Sequence, residues 1–121
     1  MRVTATTAES ITLTEIGAGG LRIDGDLMLD SVQLLACSIA SCTWTTLATY
    51  GARFDASAQD MSITVRWSMG DKPKRVATMA LDVSWPSLPD SRLDAATRAA
   101  RHCTIHATLA QGVEVDTFVD H

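Results

Sequence analysis

The stretch SVQLLACSIASCTWTTLATY, Ser31 to Tyr50, decides the fold. No residue between Ser31 and Ala52 is charged, and small or apolar side chains occupy nearly every side of the helix it would form. Its length alone would admit a membrane span. Ser31, Gln33, Ser38, Ser41, Thr43, Thr45, Thr46 and Thr49 make it too polar for lipid, so a helix buried on most sides by protein is expected. Asp30 can cap it, Gln33 three residues later completes a capping-box pattern, and Gly51 is placed to stop it. Roughly twenty residues rising 1.5 Å each span about 30 Å, the width of a small domain. Such a helix needs cover from a sheet and from something else. A chain of 121 residues has little left to supply the second cover, so a homodimer is inferred.

Upstream, Arg2 to Thr7 and Ser10 to Ile16 are rich in Thr, Val and Ile and read as two strands joined at Ala8-Glu9. Gly17-Ala18-Gly19-Gly20 supplies a turn into a short strand around Leu21 to Asp24; it has neither dinucleotide nor P-loop spacing. Downstream, Met61, Ile63, Val65, Trp67 and Met69 alternate with Ser62, Thr64, Arg66 and Ser68, the period of a strand. Asp71 to Lys74 turns the chain, and the returning strand sets Ala77, Met79, Leu81, Val83 and Trp85 on one face. Pro86 and Pro89 break it, and Asp90 or Ser91 opens a second helix with Leu93, Ala96, Ala100 and Cys103 on a shared face. Thr104 starts a short helix through Gln111, Gly112 ends it, and Val113 to Val119 is expected as a last strand. The order of elements describes one α+β domain over residues 1–121.

Composition narrows the function. An apolar fraction of 46% marks a folded protein. The net charge of −4 and a pI near 5.1 argue against a grip on phosphate backbones, so nucleic acid is not an expected partner. The start, MRVTATTAES, has no apolar run of signal-peptide length, which makes the cytoplasm the default expectation. Three cysteines in a reducing compartment do not form a structural disulfide framework.

Two of those cysteines lie on different helices. Cys42 falls mid-helix, and burial alone would raise its pKa and leave it inert, so reactivity would require a nearby cation. Arg22, on the short strand entering the helix, is the candidate; its guanidinium would favour thiolate and could hydrogen-bond the oxygen leaving a cleaved O–O bond. Cys103 precedes a helix, whose free N–H groups would stabilise a thiolate. Inert burial is the competing reading for both. Cys37, about 140° around the helix from Cys42 at 100° per residue, reads as core filler. His102 and His106 flank Cys103 and invite a zinc reading that would need a fourth ligand; packing or hydrogen bonding is preferred for His106, and no metal is expected.

The run Leu34-Leu35-Ala36, Ile39-Ala40-Ser41-Cys42-Thr43, the hairpin, and then Cys103-Thr104-Ile105-His106-Ala107-Thr108-Leu109 resembles the OsmC/Ohr family over nearly the whole chain. The resemblance implies an OsmC-like fold, with antiparallel sheets around a long central helix in an intertwined homodimer, and active sites at the subunit interface. It implies a thiol peroxidase in which Cys42 attacks an organic hydroperoxide and becomes a sulfenic acid, and Cys103 resolves it as a disulfide. Arg22 falls at a spacing similar to that of the family's activating arginine. No cofactor is implied; a dithiol or a lipoylated protein would be the reductant.

The chain departs from the family pattern in two places. Ser31-Val32-Gln33 stands where peroxidase members carry Pro-x-Glu, so Gln33 can hydrogen-bond Arg22 but adds no charge. Thr104 stands where a proline follows the resolving cysteine. The alternative reading is a non-catalytic or weakly active relative, acting as a redox sensor or holding a small apolar ligand.

Overall fold

The computed structural model describes residues 1–17, 22 and 27–121. The N-terminal Thr- and Val-rich segments form β1 (Arg2–Thr7) and β2 (Ser10–Thr14), an antiparallel hairpin. The glycine turn and the strand expected around Leu21 to Asp24 fall outside the described residues, Gly17 and Arg22 aside. A 21-residue helix, α1 (Ser31–Gly51), is followed by the hairpin β3 (Ser62–Gly70) and β4 (Arg75–Ser84), then by α2 (Leu93–Ala100) and α3 (Thr104–Gln111). The strands make one four-stranded antiparallel sheet in the order β1-β2-β3-β4.

Alternation in β3 does what its period dictates. Ile63 and Val65 face the core against Leu13 and Ile11 on one neighbour and against Val83 and Leu81 on the other. Ile11, Leu13, Ile63 and Val65 are wholly buried; each such aliphatic side chain stabilises the fold by about 1.5–3 kcal/mol. The opposite face pairs Thr12 with Thr64 at 2.8 Å and Arg66 with Asp82 at 2.7 Å. That ion pair is more than half exposed and adds little.

The face expected of β4 is altered by a bulge. Pairing shifts between Ser68↔Thr78 and Met69↔Val76, which leaves Ala77 without a partner. Ala77 is exposed, and Val76 takes the half-buried place beside the core. Met79 and Leu81 are only partly covered, while Trp85 beyond the strand is buried.

The start of α1 is capped as its residues predict. Asp30 Oδ1 accepts from the Gln33 N–H at 2.8 Å, and Gln33 Oε1 accepts from the Asp30 N–H at 2.9 Å. Its end differs from expectation. Gly51 is an ordinary helical residue, and the chain continues through a 3-10 turn (Ala52–Phe54) to Asp55, whose φ of 57° ends it. Gly51 is required for a different reason: a Cβ there would meet Trp85 Cη2 at 2.5 Å and Cζ2 at 2.6 Å. Trp85 Nε1 donates to the Ser57 carbonyl at 2.7 Å, which fixes the ring across the helix end.

One side of α1 packs on β2 and β3, and α2 and α3 lie against another. Ala36, Cys37, Ile39, Ala40, Thr43, Leu47 and Gly51 are buried. The helix is nevertheless not buried on most sides within a single chain. Length and hydropathy would let Ser31–Phe54 cross a membrane, and 33% of its most apolar window is buried.

The last strand expected of the sequence does not form. Val113 to Val119 has no strand pairing, and Val113, Val115, Phe118 and Val119 are 66%, 77%, 92% and 93% exposed. A strand needs a partner edge, and this segment pairs with neither outer strand of the sheet, β1 or β4. Gly112, at φ 83°, ends α3 as anticipated.

Candidate functional site

Cys42 lies in the middle of α1, half-buried, on an open cavity of about 540 Å³ that is also lined by Ser38, Ser41, Thr45, His102 and Thr104. The helix tolerates so many hydroxyls because they bond back to its own carbonyls. Thr45 Oγ1 donates to the Ser41 carbonyl at 3.2 Å, Thr46 Oγ1 to that of Cys42 at 3.0 Å, and Thr49 Oγ1 to that of Thr45 at 2.9 Å. The Thr46 hydroxyl is therefore spent on the backbone of Cys42, not on its sulfur.

Cys103 is built into a helix start. Its extended backbone (φ −64°, ψ 141°) makes it the N-cap of α3, and its sulfur accepts from the His106 N–H at 3.2 Å. That is the position where serine or aspartate usually supplies an oxygen. Thr104 occupies the first helical position where the family pattern has proline, and α3 begins there all the same. The Thr43 hydroxyl reaches the same sulfur from α1 at 3.8 Å.

The two sulfurs are neighbours. Both cysteines are free thiols, and the Cys42 side chain is near enough to act on the ionisation of Cys103. Burial, above all, pushes the Cys103 thiol up, and the neighbouring Cys42 side chain pushes the same way. The His106 N–H and the Thr43 hydroxyl oppose them. Cys103 thus holds its proton more tightly than an ordinary thiol. Cys37 is buried, and burial raises its pKa too; it lines the wall of the Cys42 cavity instead of lying apart from it.

Arg22 and Gln33 are placed otherwise. Arg22 is exposed and does not line the cavity of Cys42. Gln33 is committed at both ends of its amide, since Oε1 serves the cap of α1 and Nε2 donates to Thr6 Oγ1 at 3.1 Å. The two histidines diverge: His102 lines the Cys42 cavity, whereas His106 lines a separate groove. Among the described residues no group of three or more His, Cys, Asp or Glu side chains is placed to hold a metal ion.

That second groove encloses about 790 Å³ between α1, β4, α2 and α3. Leu35, Ile39, Thr43 and Leu47 form its α1 wall, facing Met79, Leu81 and Trp85. Thr43 was not singled out from the sequence as a site residue, yet a signal existed. It is the one hydroxyl in an i, i+4 stripe of otherwise apolar side chains, and a buried hydroxyl requires a partner.

Cys42 on α1 and Cys103 in the turn between α2 and α3 thus lie where these helices meet. A family model described as OsmC-like protein matches residues 24–118, a span that contains both sulfurs. No curated protein and no solved structure matches the chain. With most of its length matched, and with an α+β fold of one antiparallel sheet and three helices, the chain belongs to the OsmC-like protein family.

Proposed function

We propose that the protein is a thiol-dependent peroxidase that reduces organic hydroperoxides. Membership of the OsmC-like family supports a peroxidase- or stress-related role. The observation that carries the finer reading is the adjacency of two free thiols, one half-buried on a cavity and one capping a helix. Cys42 attacks the terminal peroxide oxygen; the O–O bond breaks, an alcohol leaves, and Cys42 becomes a sulfenic acid. Cys103 displaces hydroxide from that sulfur to give a Cys42–Cys103 disulfide and water. A dithiol or lipoylated protein returns both thiols. Steady consumption of cumene hydroperoxide in the presence of a dithiol, lost in Cys42→Ser, is the expected result; consumption no faster than buffer overturns the proposal.

A homodimer is part of the proposal. It is supported by the thinly covered α1, the open apolar groove and the exposed Val113 to Val119 segment. Light scattering of the full chain should give twice the 13.0 kDa of one chain, and a monomer would refute it.

One set of observations favours a second reading, a redox-active relative without fast turnover. Arg22 does not line the cavity of Cys42, and Gln33 is held in a cap. With no arginine or lysine lining that cavity among the described residues, Cys42 would be oxidised once and slowly. The same peroxide assay separates the two, by multiple turnovers or a single one.

A further inference from the structure

We propose that Thr43 is a positioning residue for the second sulfur: its buried hydroxyl and the His106 N–H form a two-donor cradle that favours the thiolate of Cys103. Thr43 is 2% exposed, and Cys103 is 1% exposed. The hydroxyl sits 3.8 Å from Sγ and the amide nitrogen 3.2 Å from it, reaching the sulfur from two different helices. The carbonyl four residues before Thr43 is not its acceptor, unlike those of Thr45, Thr46 and Thr49, so this one hydroxyl of the series is turned to a sulfur. Burial works against the anion at Cys103, and two donors aimed at one sulfur are the local opposition to it. They also hold the Cys103 sulfur in place from two sides.

The consequence for turnover rests on the thiol-pair reading above; the cradle itself does not. In resolution the Cys103 thiolate attacks Cys42 Sγ, the S–S bond forms, the S–O bond breaks, and the departing hydroxide takes a proton to become water. Thr43 accelerates that step by keeping a larger fraction of Cys103 ionised and aligned.

The test uses full-length Cys42→Ser protein carrying 13C at cysteine Cβ, with the chemical shift of each thiol followed against pH. Thr43→Val keeps the shape and removes the donor. It is expected to raise the Cys103 midpoint by roughly one pH unit, the worth of a hydrogen bond to a charged group. Thr43→Ser should restore the midpoint, and Cys37 should titrate unchanged throughout as the internal control. An unmoved Cys103 midpoint in Thr43→Val overturns the proposal, and so does an equal shift at Cys37, which would mean general loosening. With Cys42 present, Thr43→Val should also slow decay of the sulfenic acid several-fold at neutral pH. A shifted midpoint in a protein that forms no sulfenic acid leaves the cradle standing and removes the peroxidase reading.

Discussion

Cys42 and Cys103 are the same amino acid in adjoining places, yet their surroundings differ. Cys42 sits in the fourth turn of a long helix, half-buried at the edge of an open cavity, with the neighbouring hydroxyl of Thr46 tied to its carbonyl. Cys103 is buried at a junction of short helices, with an amide and a hydroxyl both directed at its sulfur. The contrast teaches a division of labour. A thiol on a cavity is open to an outside molecule; a buried thiol in a cradle is shielded from one.

The largest effect that would break this contrast comes from exchanging the buried sulfur. Cys103→Ser should keep a single stoichiometric reaction with hydroperoxide while steady turnover falls to the uncatalysed background. Dimedone should then add once per chain, at Cys42, by intact mass. Undiminished turnover would show that Cys103 is not needed.

A smaller effect tests whether the scaffold, as distinct from the thiols, depends on the helix end. Gly51→Ala would drive a methyl into the Trp85 ring. Overpacking of this kind costs about 1–3 kcal/mol, read as a lower urea midpoint with an unchanged slope. A midpoint equal to the parent would mean that the ring moves freely.

The pH dependence of stability sharpens the comparison further. Cys103 and Cys37 bind their protons more tightly folded than unfolded, both chiefly through burial. Between the unfolded thiol pKa, about 8.5, and the higher folded values, the native chain carries more protons than the unfolded one. Stability therefore falls as pH rises through that window and is fully present below it. The urea midpoint should drop between neutral and alkaline pH, and less steeply in Cys103→Ser. The smallest expected change is at the cap: Asp30→Ala removes one of the two reciprocal bonds of the capping box and costs about 1 kcal/mol, again by urea titration.

Local rules made much of the fold legible. The Asp30–Gln33 box is an i, i+3 contact, β3 declares itself by alternation, and Gly112 stops α3 where expected. Non-local facts were less visible. The bulge at Ala77 depends on how two strands accommodate each other, and the role of Gly51 depends on Trp85, far along the chain. Val113 to Val119 has strand-like alternation and no strand partner among the described residues, because a pattern specifies a face but not a neighbour. At the site, helix periodicity placed Cys42, but only the resemblance put Cys103 with it. Thr43 was passed over because a threonine in a Thr-rich helix looks like its fellows until its acceptor is known.

The central claim is that these two sulfurs form one redox unit, and peptide mapping after oxidation tests it most directly. Reduced protein is treated with one equivalent of cumene hydroperoxide, alkylated, digested without reductant and weighed. The expected product is a Cys42–Cys103 cross-linked peptide pair, two hydrogens lighter than its parts, with Cys37 recovered as the alkylated thiol. Recovery of both cysteines alkylated, or a cross-link that runs through Cys37 instead, would contradict it.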